Sequence, residues 1–143
     1  MIARRYLFGL TFCLLSAGAC GPSGPQPIAF EEDPCQYCRM TISDPHFGAE
    51  LVTDKGRLMK FDATECMVNY LREEAPAFQA LYAVAYDVPG QLYPVDSLGF
   101  VISPDYRSPM GANLAAFRHR ESLGTPQKGT WLDWEEVMEK TGQ

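Results

Sequence analysis

The sequence predicts an α+β fold built from two small, related ββαβ units packed together, over residues 34–90 and 91–143. Three observations in the sequence lead to this expectation. Short segments alternate apolar and polar residues, as half-buried strands do. Two other segments place apolar residues at helical spacing. The order strand, strand, helix, strand can be read twice along the chain, and such a mixture of elements is typical of α+β proteins.

Residues 1–19 predict a secretory signal peptide rather than part of the fold. A short basic head precedes an apolar stretch of about ten residues, and small residues then lead to Cys20. This ending resembles a bacterial lipobox, which implies that Cys20 is acylated and anchors the chain to a membrane surface outside the cytoplasm. The alternative is a secreted protein that is cut near Ala19. Residues 20–33 are rich in Gly, Pro and acidic side chains and predict a flexible tether.

The composition restricts the possible partners. The chain of 143 residues has 18 acidic and 12 basic residues, a formal charge of −6 and a pI near 4.8. Removal of a signal peptide would take Arg4 and Arg5 with it, so that 10 basic residues remain and the net charge falls to −8. Nucleic acid is not an expected partner, because phosphate binding needs an excess of Lys and Arg.

The first unit begins with a predicted hairpin. Residues 48–53 and 57–61 are the two strands, and Asp54-Lys55-Gly56 between them is a turn signal. A helix should follow from Asp62, with Glu65 three residues later in the pattern of a capping box. Its predicted apolar face includes Cys66, Met67 and Leu71, and the helix should end at residues 73–76. Residues 81–88 predict a buried strand.

The second unit is predicted to repeat this order. Residues 98–103 and 113–117 are the first two strands, a polar segment follows at 119–123, and residues 129–133 form the last strand. Residues 134–140 predict a short amphipathic helix. In this alignment of the two halves, Phe61 and Phe117 occupy equivalent positions.

The candidate functional site is a concentration of sulfur. Cys35, Cys38 and Met40 bring two thiols and a thioether within six residues, and such soft donors favour a soft cation, above all Cu(I). Cys66 lies at the start of the predicted helix, where the helix dipole favours a thiolate. Met110 lies in a Ser-Pro-Met-Gly loop, where an apolar side chain is less easily explained by packing than it would be on a strand. His46, in a turn that follows Pro45, is a further candidate ligand.

Three alternatives to a copper site remain open on the residues alone. Cys35, Cys38 and Cys66 with His46 would be a suitable ligand set for zinc. Cys35 and Cys38 could instead be a redox pair, or form a disulfide that only staples the fold. The sequence has no evident acid–base pair, phosphate-binding loop or Ser-His-Asp arrangement, so we do not expect an enzyme.

The chain resembles the NosL family of nitrous oxide reductase accessory proteins. The resemblance rests on the lipobox, the Cys-Gln-Tyr-Cys-Arg-Met segment at 35–40, the segment from Lys60 to Met67, and the Ser-Pro-Met-Gly loop at 108–111. It implies a periplasmic, membrane-anchored Cu(I) chaperone for the copper sulfide centre of nitrous oxide reductase. It also implies cooperation with an ABC-transporter complex of the same maturation system. The implied fold is two ββαβ units, similar to a domain of organomercurial lyase.

The resemblance also implies which residues hold the metal. The family's Cys-x-Met motif matches Cys38 and Met40, and its later Met-Gly matches Met110, so Cys38 and Met110 are the strongest ligand candidates. Cys35 and Cys66 match only those relatives that carry extra cysteines, and His46 falls near a histidine found in some members. Arg39 departs from the Gly or Gln that is usual between Cys and Met, and its charge would oppose a second positive ion.

Overall fold

The computed structural model describes residues 24–119 and 129–141. The predicted signal peptide 1–19, the lipidation site Cys20 and most of the polar segment 119–123 lie outside these residues. The described chain forms seven strands and two α-helices, in the order β1 (Ala49–Thr53), β2 (Leu58–Phe61), α1 (Thr64–Glu74), β3 (Phe78–Val84), β4 (Leu92–Pro94), β5 (Gly99–Ile102), β6 (Leu114–Phe117), β7 (Thr130–Leu132) and α2 (Trp134–Lys140).

The first sheet has the strand order β2-β1-β3-β4 and is antiparallel throughout. The predicted hairpin is present as β1 and β2, and Gly56 in its turn has a φ of 78° that favours glycine. Helix α1 turns a buried face that includes Cys66, Met67 and Leu71 to the core. The predicted strand at 81–88 begins and ends earlier, since β3 spans Phe78–Val84.

The second sheet has the order β6-β5-β7, which matches β2-β1-β3 in the first. Phe117 pairs with the first residue of β5, as Phe61 pairs with the first residue of β1. The strands therefore agree with the alignment of the two halves. The ββαβ repeat itself stays a prediction, because residues 120–128, between β6 and β7, lie outside the described part. The first sheet also continues past the predicted boundary at residue 90, since β4 pairs with β3.

The two helix starts differ from each other in a way the sequence did not predict. Helix α1 begins at Thr64 after Ala63, and no side chain caps it, so the predicted capping box of Asp62 and Glu65 is wrong. A capping box is present at α2, where Asp133 accepts a hydrogen bond from the Glu136 backbone and the Glu136 side chain accepts one in return. The carboxyl groups of Asp62 and Glu65 are buried instead.

The predicted tether is too long at its C-terminal end. Ile28 is buried against the first sheet, and the Gln26 N–H donates to the Glu50 carboxylate at 3.0 Å. Asp33 forms an ion pair of 2.6 Å with Lys60 of β2 and accepts a hydrogen bond from the Ala29 N–H. Residues 26–33 are thus part of the folded domain, because the Ile28 side chain and the contacts of Gln26 with Glu50 and of Asp33 with Lys60 attach them to it.

The two sheets share a continuous core. Its largest fully buried side chains include Phe61, Leu51 and Met67 from the first half and Phe100 and Leu114 from the second. A backbone bridge also joins the halves, since the Tyr86 N–H donates to the Ala116 carbonyl at 2.7 Å. None of the helices within the described ranges is long and apolar enough to cross a membrane.

Candidate metal centre

Residues 34–41 form a tight loop beside β2 that sets the positions of Cys35 and Cys38. The loop is closed by the Cys35 N–H bonded to the Met40 carbonyl at 2.8 Å and the Arg39 N–H bonded to the Cys35 carbonyl at 3.1 Å. The Gln36 N–H donates to the Lys60 carbonyl and attaches the loop to the sheet. Arg39 has a φ of 67°, a left-handed conformation that turns the chain directly after Cys38. The two cysteines are therefore held by backbone hydrogen bonds.

Cys66 completes a group of three sulfurs. Helix α1 begins two residues before Cys66, and its burial against the sheet brings the side chain to the loop. The Sγ atoms of Cys35, Cys38 and Cys66 all lie within 4.8 Å of one another, and all three cysteines are free. Cys35 and Cys66 are fully buried, whereas Cys38 is half-buried. The group thus has two inner thiols and one that reaches the surface.

The surroundings of Cys35 stabilise a thiolate. The Cys66 thiol donates a hydrogen bond to Cys35 and, against the opposing effect of burial, lowers the pKa of Cys35 to about 5. Backbone N–H groups of Asp62, Cys38 and Tyr37 are directed at the same sulfur and lower the pKa further. A thiolate is the form that binds metal, so Cys35 is already prepared as a ligand.

The other two thiols have raised pKa values in the absence of a cation. The hydrogen bond to Cys35 is the main cause that raises the pKa of Cys66, and burial and the negative charge of Cys35 add to it. Burial raises the pKa of Cys38, while the Met40 N–H opposes this effect. The negative charge of the group therefore concentrates on Cys35.

Two buried carboxyl groups, those of Asp62 and Glu65, lie near the sulfurs, and the sequence analysis did not predict that they are buried there. Asp62 is 3% exposed, and burial, followed by the negative charge of Cys35, raises its pKa. Burial also raises the pKa of Glu65. The nearby Ser108 hydroxyl and Ala112 N–H lower this pKa, but by less than burial raises it. Both Glu65 oxygens and one Asp62 oxygen lack a hydrogen bond of normal geometry to any described residue. The sequence signal available for this burial was position, because Glu65 directly precedes Cys66 and Asp62 lies between β2 and α1.

The two methionine candidates are exposed. Met40 directly follows the cysteine loop and is 62% exposed, and Met110 is 42% exposed. Met110 lies in a turn closed by the Gly111 N–H bonded to the Ser108 carbonyl, and the buried Ser108 faces Glu65 at the start of α1. The Met110 loop therefore lies against the helix that carries Cys66, and its thioether is open to solvent.

His46 does not belong to the sulfur group. Its Nδ1 lies 2.9 Å from the Asp44 carboxylate, and its ring packs against Tyr86 with centroids 4.9 Å apart. Among the described residues, the group with metal-ligand spacing contains Cys35, Cys38 and Cys66 without His46. The structure thus assembles the three cysteines of the predicted set and places this histidine in a turn.

The geometry suits a three-coordinate soft cation. Metal–sulfur bonds of about 2.3 Å in a trigonal plane correspond to sulfur separations of about 4.0 Å. The three sulfurs lie within 4.8 Å of one another, a range that includes this separation. Thiolate is a soft ligand that selects Cu(I) or zinc over hard cations. The half-buried Cys38 leaves one side of the group accessible from solvent.

Comparisons with known proteins agree with this fold. The model of the NosL family matches residues 27–141. The fold is similar to the crystal structure of the copper chaperone NosL from Shewanella denitrificans, with a TM-score of 0.70 and 17% sequence identity. The match covers 81% of this chain and 96% of that chain. A search of curated proteins finds no match. The predicted α+β class is confirmed, as two antiparallel sheets with two helices.

Proposed function

The chain belongs to the NosL family, and from that premise we propose that it is a copper(I) chaperone whose cargo is held by Cys35, Cys38 and Cys66. The observation that supports this proposal is the approach of three free sulfurs within 4.8 Å of one another. A solved structure to which this fold is similar is that of a copper chaperone.

Transfer of the cargo depends on the difference between the three sulfurs. Cys35 and Cys66 are fully buried and hold the ion on its inner side. Cys38 is half-buried and is the ligand that an acceptor protein can reach from solvent. An acceptor ligand can replace Cys38 first, because a three-coordinate ion has an open position for an incoming sulfur. Met40 and Met110 are exposed thioethers, which bind Cu(I) without losing a proton and can take the ion during entry or exit.

The destination and the location of the chaperone are also proposals. The acceptor is the copper sulfide centre of nitrous oxide reductase, reached together with the ABC-transporter complex of the same maturation system. Acylated Cys20 anchors the protein at the periplasmic face of the membrane. Transfer of labelled copper from the loaded chain to apo-reductase, with and without the transporter complex, tests the destination. Mass measurement of the N-terminal peptide from cells tests the anchor.

Competition with a Cu(I)-specific chelator tests the site. We expect Cys35→Ser and Cys38→Ser each to lower Cu(I) affinity at least a hundredfold, because each removes a thiolate from a three-ligand site. Met110→Leu should weaken binding less, and Met59→Leu is the matched control because this thioether is buried in β2. Equal Cu(I) affinity in the wild type and both serine variants would refute the assignment.

Zinc is the competing cargo, because it also binds three thiolates with a fourth ligand. X-ray absorption of the loaded protein separates the two cases. Cu(I) should show sulfur neighbours alone, whereas zinc should show three sulfurs and a fourth, lighter neighbour (nitrogen or oxygen). Preferential zinc loading from an equal mixture, with no effect of Met40→Leu or Met110→Leu, would assign a zinc protein instead.

A further inference from the structure

We infer that the open edge of β3 is a docking groove for an extended, basic peptide segment of a partner protein. This β3 groove is a cavity of about 430 Å³. It is formed by three parts of the chain, namely residues Phe78–Tyr82, residues Pro94–Asp96 and Trp134. The inference does not depend on the metal site.

The groove exists because β4 is shorter than β3. On one side β3 pairs with β1 from Phe78 to Ala83, but on the other side β4 covers only Tyr82–Val84. Since β4 ends at Pro94, which has no N–H, the ladder stops there and residues 78–81 face the cavity instead of a strand. Five consecutive residues of β3 line the groove, as expected at a strand edge. Such an edge can pair with an added extended peptide.

Aromatic side chains offer anchors in the groove. Three large hydrophobic residues of the described part are exposed, namely Met40, Met110 and Phe78. The first two belong to the candidate metal centre, whereas Phe78, which is 47% exposed, lies in the β3 groove. Trp134 also lines the groove and packs on Phe100, with ring centroids 5.8 Å apart. Rigid aromatic groups of this kind dominate the affinity of many interfaces.

The charge of the groove selects the occupant. A second hollow adjoins it through Asp96 and Trp134 and is also lined by Asp133 and Glu135. No described residue that lines either hollow is Lys, Arg or His. An extended segment with apolar residues along β3 and Lys or Arg at this acidic end is therefore complementary. A second copy of the chain, with a formal charge of −6, would be repelled.

The position of the groove is compatible with cargo transfer. In the sheet order β2-β1-β3-β4, the cysteine loop is bonded to β2, whereas the groove lies at the side of β3 and β4. A partner segment seated in the groove would thus leave Cys38 uncovered. Docking and ligand exchange can then occur on the same chain at the same time.

Titration of the purified chain with two synthetic peptides tests this inference. One eight-residue peptide alternates Val and Lys, and the other replaces each Lys by Glu. We expect the Lys peptide to shift the backbone amide signals of residues 78–82 and the Trp134 indole signal, and the Glu peptide to shift neither. Asp96→Lys should weaken binding of the Lys peptide about fivefold, the usual size of one exposed ion pair. Glu32→Lys is the matched control, since this acid is exposed and lies outside the groove.

Phe78→Ser provides a second variant that removes an anchor without touching the core, because the side chain is half exposed. It should weaken the Lys peptide while the fold, read from the amide spectrum, is unchanged. Equal binding of both peptides, signal shifts confined to residues outside the β3 groove, or an unchanged affinity in Phe78→Ser and Asp96→Lys would each overturn the inference. Shifts at residues 78–82 that depend on protein concentration without peptide would make a second copy the occupant and overturn it as well.

Discussion

The Cys66→Ala variant should change the ionisation of a different residue, Cys35. The Cys66 thiol donates the hydrogen bond that does most to lower the pKa of Cys35 to about 5. A thiol with this pKa is about 99% ionised at pH 7, whereas one near the ordinary value of about 8.5 is about 3% ionised. We therefore expect the metal-free wild type to show one thiolate at pH 7 by ultraviolet absorbance, and Cys66→Ala to lose most of that signal.

Cys38→Ala is the comparison variant, because it keeps the Cys38 backbone N–H directed at Cys35 and removes only a side-chain hydrogen bond that acts on Cys35 less than the one from Cys66. The low titration step should persist in this variant. Cys66→Ser should restore part of the step, since a hydroxyl can also donate. A thiolate signal near pH 5 that survives in Cys66→Ala would refute the reasoning, because the N–H groups alone would then suffice.

The same ionisation should appear in the stability of the metal-free protein. A lowered pKa in the folded state contributes stability that is fully present above the unfolded value of about 8.5 and is lost as the pH falls through about 5. The raised pKa of Cys66 has the opposite sign and removes stability above about 8.5. The contribution of the pair should therefore be greatest near the ordinary thiol pKa. The free energy of unfolding, measured by urea titration at several pH values in this range, should depend less steeply on pH in Cys66→Ala than in the wild type.

Three further predictions concern the fold. Met67→Ala should lower the free energy of unfolding by about 2–5 kcal/mol in urea, because it opens a cavity in the core, whereas the exposed Met40→Ala should change it little. Asp133→Ala should cost about 1 kcal/mol through the loss of the α2 cap, and the exposed Glu139→Ala should be nearly neutral; equal effects would contradict the capping geometry. Burial raises the pKa of Glu65, so the free energy of unfolding should fall as the pH rises and this carboxyl group ionises. Glu65→Gln cannot ionise and should therefore raise the melting temperature at neutral pH.

The hairpin and the second helix were predictable because their signals are local. Asp54-Lys55-Gly56 encodes a turn, and the two flanking segments alternate, so β1 and β2 follow from neighbouring residues. Helix α2 matches its predicted range of 134–140. The start of α1 was not predictable from pattern alone, because Asp62 and Glu65 have capping-box spacing but are drawn into the interior near Cys35 and Ser108. Tertiary contacts override the local preference there.

The cysteines of the candidate metal centre could be identified from their chemistry, but the sequence did not show which of them lie close together in space. Cys35 and Cys38 are close in sequence, so their proximity was expected, whereas the approach of Cys66 depends on how α1 packs on the sheet. His46 is a suitable metal ligand by chemistry but lies outside the sulfur group, because its hydrogen bonds with Asp44 hold it in a local turn. The groove beside β3 left no sequence signal, since it results from the different lengths of two paired strands.

Two of the sulfurs come from the loop at residues 34–41 and the third from a helix about thirty residues later, with a β-hairpin between them. An ion bound to both segments is a removable cross-link in the chain. Each loading event would fasten the N-terminal segment to α1, with a gain in stability that grows with the logarithm of free ion concentration over the dissociation constant. Unloading would remove the same connection, so the loop at residues 34–41 would be held to α1 less tightly in the metal-free chain.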